Sequence, residues 1–401
     1  MGRLIYEPIW APPAEPCTPA FPYRAGCSLA IRRHVPPPPF GRGYVRGDHH
    51  RPRADRGSRP DATQTEWCLA FPPQDNPLSP PHPDASVRTL HIVDQIACRD
   101  KIGSDDGHGA QVVRCRWGDN DDNNDDGKPG GPTTYYVAKI YDALYYRLHE
   151  WDGDTSDVTY TADRDYAVEA AAYERLCGAG VNGRYSPVYY GSWTFDVPVP
   201  AVSASRKPPK SAQHPQRPSL AHRPVRMILM EWIPGVSMQS YLDTNKIDEL
   251  SPTRRLDILA KAMEATSYLE FHGVMHSDFA PRNVLVKDTA GADAGAATNT
   301  DTKVPDVYII DFNASYVLDS PFYRDQRKQA GTLPMNPMHL FWNNTLQDFG
   351  RWVPLTYHRQ RPVFNGWLHK KWSRAKGFLV ANAAMREYYK LDSEFTYIPP
   401  E

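Results

Sequence analysis

The chain has 401 residues, 46 Lys and Arg against 47 Asp and Glu, and a formal net charge of −1. That balance argues neither for nor against nucleic acid, so only local charge is informative. Hydrophobic residues, at 40%, suffice for a core, and no apolar run reaches the roughly 18 residues that a membrane helix needs. The start, MGRLIYEPIWAPP, has no apolar signal core, and Tyr6 stands where a myristoylation signal wants Ser or Thr. The six cysteines share no C-x-x-C spacing, which argues against a zinc site or a redox pair. The expectation is a reduced, intracellular protein without a membrane segment, with cytoplasm and nucleus not distinguished.

Residues 1–85 read as a disordered tail. They are rich in Pro and Gly, and nine arginines fall between Arg24 and Arg59. Few aliphatics are present to offset the entropy of ordering. A solvated tail is expected, with binding of RNA or an acidic partner through the arginines as the alternative. From Thr89 the texture changes. TLHIVDQIAC, AQVVRCRW and TTYYVAKIYD read as strands. Between the last two, residues 118–132 (GDNDDNNDDGKPGGP) read as an acidic surface loop, because the glycine and glutamate of a calcium loop are misplaced. Residues 162–177 are Ala-rich with helical spacing, starting at Thr161 or Asp163 and ending at Gly178. SPVYYGSWTF is a further strand. A Pro-rich, basic insert at 196–224 leads into the buried strand VRMILMEWI.

Residues 251–273 carry the strongest helix pattern, with Ser251 as cap, Pro252 in the first turn and Gly273 past the end. FHGVMHSDFAPRNVLVKD follows, at 271–288, and then VYIID after a small-residue insert. Trp342, Trp352, Trp367 and Trp372 crowd the end of the chain, either as core or as a partner-binding patch.

Order and spacing together resemble the protein kinase fold. VAKIY carries Lys139, the next helix carries Glu169 with Glu174 as second candidate, HSDFAPRN carries His276, Asp278 and Asn283, and IIDFN carries Asp311. MEWI, with Met230, Glu231 and Trp232, resembles the adenine-binding segment that joins two lobes. LPMNPM (333–338) and the tryptophan-rich end are similar to divergent fungal kinase-like proteins. The implied fold is α+β and two-lobed: a small antiparallel sheet lobe with one helix (86–232) and a mainly helical, shortened lobe (233–401).

The resemblance implies ATP and Mg2+ as cofactors. Lys139 would meet the phosphates and Glu169 would hold that Lys, with Gly107 and Gly109 in the phosphate loop. Asn283 and Asp311 would hold magnesium, and Asp278 would act as catalytic base. Arg282 would neutralise the transferring phosphoryl group or form a salt bridge inside the loop. Asp348 would brace that loop. Asn313 replaces a family Gly, at a position where a positive φ would favour Gly or Asn. Asp105, Asp106 and His108 disturb the glycine loop, and two carboxylates there oppose ATP.

Three functions stay open. One is an ATP-dependent kinase transferring the γ-phosphate to a hydroxyl acceptor, with protein as the expected acceptor. The second is a pseudokinase scaffold. The third is a small-molecule kinase of the aminoglycoside or choline type. A protein substrate or partner is expected and no membrane; nucleic acid enters only through the Arg-rich tail.

Overall fold

The computed structural model describes residues 11–41, 44, 52–103, 109–118, 133–149, 155–200, 220–287, 304–318, 333–342, 344, 346–388, 390–391, 395 and 397–400. The chain forms two compact units, one of residues 1–171 and 189–232, the other of 172–188 and 233–401.

The first unit is built on strands β1 (Ser28–Arg33), β2 (Arg88–Ala97), β3 (Gln111–Trp117), β4 (Tyr136–Tyr141), β5 (Tyr189–Pro200) and β6 (Leu220–Glu231). They close into an antiparallel barrel in the order β1-β2-β3-β4-β6-β5. The expected small sheet is therefore a closed barrel. The closing strand, β1, comes from the segment expected to be disordered: Arg32 pairs with Thr194 and Arg33 with Trp193. Alternate residues point inward, so Leu29, Ile31, Leu90, Ile92, Val113, Cys115, Ala138 and Ile140 are buried.

The described part of residues 1–85 is thus not a solvated tail. Phe21, Tyr23, Ile31, Phe40 and Trp67 are buried, and Gln64–Ala70 forms helix α1, capped reciprocally by Thr63 and Glu66. The segment lacks a core of its own and borrows that of the barrel and of α2 (Val158–Gly178). Phe40 packs edge-on against Tyr160 at 5.3 Å, and the Tyr23 hydroxyl donates to Asp142 at 2.6 Å.

Helix α2 begins earlier than Thr161 because Asp157 caps it, accepting from the Thr159 and Tyr160 amides at 3.2 Å. The same carboxylate accepts from the Ala54 amide at 2.7 Å, so one side chain starts the helix and anchors the N-terminal segment. The segment expected as an insert at 196–224 is strand at both ends. Its ends pair from Asp196↔Pro224 to Pro200↔Leu220. Pro198, Pro200 and Pro224 fit there because this part of the hairpin runs past the last pairings with β1 and β4. Residues 119–132 and 201–219 lie outside the described residues.

His34 follows β1 and shares a hydrogen bond at 2.6 Å with the Tyr166 hydroxyl of α2. Burial, aided by the Arg226 guanidinium, pushes its imidazole down to about 4. The folded protein therefore disfavours the charged ring, and the stability held by neutral His34 is lost as pH falls from 6.5 toward 4. Relative to His34→Asn, denaturant titrations should show the native protein losing about 3 kcal/mol between roughly pH 7 and pH 4. Parallel profiles for the two proteins would contradict this.

The second unit has helices α3 (Met238–Asp243), α4 (Pro252–Phe271), α5 (Pro337–Leu340), α6 (Leu355–Arg359), α7 (Arg361–Trp372) and α8 (Ala383–Tyr388). Short strands complete it: β7 (Val236–Ser237), β8 (Val274–Met275), β9 (Val284–Lys287), β10 (Asp306–Ile309) and β11 (Tyr316–Val317). They form an antiparallel sheet β10-β9-β7 and the pair β11-β8. Helix α4 starts as its sequence dictates, with Ser251 accepting from the Arg254 amide at 3.2 Å. Gly273 follows at φ +92°, and a Cβ there would stand 2.6 Å from Arg175 Nε.

LPMNPM is an anchor. The Ser267 hydroxyl of α4 donates to the Met335 carbonyl, and buried Asn336 both caps α5 and donates to the Trp372 carbonyl at 3.0 Å. Trp352, Trp367 and Trp372 are core residues, as their burial at 0%, 6% and 1% exposure decides. Among the described residues no helix is long and apolar enough to cross a membrane.

Candidate functional site

The predicted residues fall into two groups, one in each unit. In the first unit β4 places Lys139 among buried neighbours, in register with Val112 of β3 and Ile228 of β6. Its ammonium meets the Glu169 carboxylate of α2 at 2.5 Å, and Glu169 is fully buried. Lys139 therefore pairs with Glu169 and not with Glu174. The Tyr141 hydroxyl donates to the same oxygen at 2.8 Å. Tyr141 was not singled out from the sequence, although strand period 2 puts it on the same face as Lys139.

Met230 is buried in β6 opposite Val137, Glu231 pairs with Tyr136, and Trp232 lies 5.2 Å from the Arg114 guanidinium. Gly107, with Asp105, Asp106 and His108, lies outside the described residues. A Cβ on Gly109 would meet only ordinary contacts, the nearest at 3.7 Å from Asp165 and Tyr146, so no close approach within the chain demands glycine there.

In the second unit the loop after β8 is built around His276. Its Nε2 donates to the Ile310 carbonyl at 2.8 Å, and its Nδ1 accepts the Asp278 amide at 3.3 Å. That pattern fixes a neutral tautomer and a bracing role. Asp278 is held at both carboxylate oxygens: Arg282 donates to Oδ1 at 2.6 Å and Asn283 to Oδ2 at 2.9 Å. Arg282 thus forms the salt bridge inside the loop. The Asn283 amide also donates to the Asp278 carbonyl at 2.9 Å, leaving its Oδ1 as an acceptor. Phe279 turns the other way and packs on Phe341 and Phe349 at 5.4 and 4.8 Å.

Asp348 is exposed and shows no hydrogen bond to this loop among the described residues, so it is the neighbouring Phe349, not Asp348, that braces it. The sequence signal for this was an aromatic at 279 and another beside Asp348.

The Asp311–Asn313 segment lies after β10. The Ile310 amide donates to the Asn283 carbonyl at 3.0 Å, which ties the two segments together. Phe312 is fully buried, edge-on to Tyr173 at 5.0 Å and His276 at 5.1 Å. Positive φ falls on Asp311 at +67° and on Ser277 at +58°, whereas Asn313 lies in a short 3-10 turn at Phe312–Ala314. The left-handed backbone expected at 313 therefore sits two residues earlier. Non-Gly residues held there store of order 1–3 kcal/mol, and such strain clusters at functional sites.

The donor set suits a hard cation bound together with phosphate oxygens: an amide oxygen at Asn283 and a carboxylate at Asp311. No group of three or more His, Cys, Asp or Glu able to hold a metal occurs among the described residues. Magnesium in phosphoryl-transfer sites is usually bound through one or two carboxylates with phosphate oxygens and water, so Asp311, with Asn283 earlier in the chain, would be the carboxylate such an ion takes.

Residues 218–334 match the family described as protein tyrosine and serine/threonine kinase. A 63-residue stretch, 16% of this chain, is 30% identical to the serine/threonine-protein kinase PknB of Mycolicibacterium smegmatis, and it spans 10% of that protein. Over the matched residues the chain is protein kinase-like.

Proposed function

We propose that the protein is an ATP-dependent phosphotransferase of the protein kinase type, acting on a hydroxyl of a protein acceptor. The observation that carries this is Asp278, held at both oxygens by Arg282 and Asn283 inside the kinase-like segment. Asp278 is the catalytic base: it takes the proton of the acceptor hydroxyl as that oxygen attacks phosphorus. Arg282 and Asn283 are positioning residues that hold Asp278 in one orientation. Lys139, kept in place by Glu169, binds the α- and β-phosphates of ATP. Asn283 and Asp311 hold magnesium, which neutralises the charge of the transferring group when bound.

A thermal-shift titration with ATP and magnesium tests this. At about 100 times the dissociation constant the ligand should stabilise the protein by about 2.7 kcal/mol. No shift together with no transfer to any acceptor overturns the reading and leaves a binding scaffold. Transfer to aminoglycosides or choline with none to protein moves the acceptor to small molecules.

A further inference from the structure

On the first unit a cleft of about 340 Å³ opens beside the start of the barrel. Its lining includes Arg32, Arg33 and Arg226, against one carboxylate, Asp75. Arg226 is buried at 4% exposure, donating to the Thr194 hydroxyl and to Asp75 Oδ1, both at 2.7 Å. His34 Nε2 lies 3.4 Å from that same oxygen, and His82 completes the titratable lining. Asp75 itself is 87% exposed at its side chain, so the buried guanidinium is neutralised by a carboxylate on a limb that reaches in from outside.

That limb runs through Asp75–Asn76–Pro77–Leu78–Ser79–Pro80–Pro81. The Asn76 side chain donates to the Pro36 carbonyl at 2.7 Å and accepts from the Leu78 amide at 2.8 Å, which fixes the turn before Ser79. Ser79 lines the cleft, is exposed, and its hydroxyl makes no hydrogen bond among the described residues. Pro80 and Pro81 follow it directly and stiffen the exit. An exposed hydroxyl on an accessible, prearranged limb thus shares a wall with three guanidinium groups.

We propose that Ser79 is a phosphorylation site and that the cleft of Arg32, Arg33 and Arg226 receives its phosphoryl group in cis. A protein kinase that takes Ser followed by Pro would transfer the γ-phosphoryl group of ATP. The Ser79 Oγ–P bond forms, the bond from the γ-phosphorus to the bridging oxygen breaks, ADP leaves, and the hydroxyl proton passes through that enzyme's base to solvent. The dianion then supplies acceptor oxygens to a cleft in which Arg32 and Arg226 are already paired with Asp196 and Asp75 while Arg33 makes no ion pair among the described residues, latching the 75–85 limb onto the barrel. This is independent of whether the chain transfers phosphate itself.

The full-length chain with phosphoserine encoded at 79 tests the receptor. Its thermal midpoint should rise by roughly 2–4 °C or more over the unmodified chain. By 31P NMR the second phosphate ionisation, ~6 when free, should fall by about one unit. Arg32→Ala or Arg33→Ala should reverse that fall. Arg32 is a surface residue paired with exposed Asp196, so its variant should still fold, as the melting curve of its unmodified form checks.

A phosphate that titrates as in a free peptide of residues 75–85, or a fall that survives both arginine substitutions, overturns the receptor. Incubation of the unmodified chain with a proline-directed kinase, ATP and magnesium, mapped by mass spectrometry, should place phosphate on Ser79. Failure there, with the free peptide readily modified, overturns the acceptor.

Discussion

Asp278→Asn is expected to lower kcat by ~10²–10⁴-fold, about 3–5 kcal/mol in the barrier, while leaving the fold intact. The substitution is close to isosteric. The carboxamide that replaces the carboxylate keeps one oxygen, which can still accept from Arg282 or Asn283, so the loop retains one of two anchors. The ring of His276 is anchored elsewhere, by the Ile310 carbonyl and the Asp278 backbone amide, neither of which changes. What is lost is an ionised oxygen able to take a proton. Single-turnover measurements with labelled ATP read the effect directly. Equal stabilisation of both proteins by ATP and magnesium would show that binding survives. Undiminished transfer by the variant would remove Asp278 from the chemistry and with it the proposed function.

Glu169→Ala should destabilise the first unit by about 3–5 kcal/mol and abolish stabilisation by ATP. Lys139 is held in a buried position by this carboxylate at 2.5 Å, and the Tyr141 hydroxyl leans on the same oxygen. Removing Glu169 takes that carboxylate from a buried ammonium and that acceptor from a phenol, the situation in which breaking a pair is far worse than never having built it. Lys139→Met in the same background should restore part of the stability, because it removes the buried charge, without restoring nucleotide binding. A double-mutant cycle by denaturant titration measures this. Additive losses from the two substitutions would show that the pair is not coupled and that Lys139 is neutralised by another group.

Tyr141 sharpens that second prediction. Tyr141→Phe should remove one hydrogen bond from Glu169 and keep the ion pair, so its effect should be much smaller than that of Glu169→Ala. The contrast separates the contribution of charge from that of the network around it.

Several parts of the candidate site were legible because they depend on short-range rules. Strand period 2 puts Lys139 on the face of β4 opposite Ala138 and Ile140, and helical spacing fixes which face of α2 carries Glu169. A cap, a first-turn proline and a terminal glycine set the ends of α4, and hence where the loop bearing Asp278 begins. For Arg282 the sequence allows two roles, because a guanidinium four residues away can reach either a neighbouring carboxylate or a ligand, and only the folded turn decides. The bracing by Phe349 and the position of the left-handed backbone at Asp311 were missed, since both depend on how a distant element or a strand end directs the chain.

The described part of residues 1–85 departs from the expectation of a solvated tail, for a physical reason. Composition measures whether a segment can bury apolar surface within itself, and this one cannot. Its described part is ordered because it supplies one strand and a few large aromatics to a core made by residues far along the chain. The closure of β1 on β5 and the caps provided by Asp157 are invisible to any local window. The amino-acid sequence by itself therefore determined elements such as β4, α2 and α4 and which chemical groups each carries, because these follow from neighbours a few residues apart. Tertiary structure alone decided the closed barrel, the ordering of the N-terminal segment and the partners of each charged group, because those energies arise only when distant parts of the chain exclude water together.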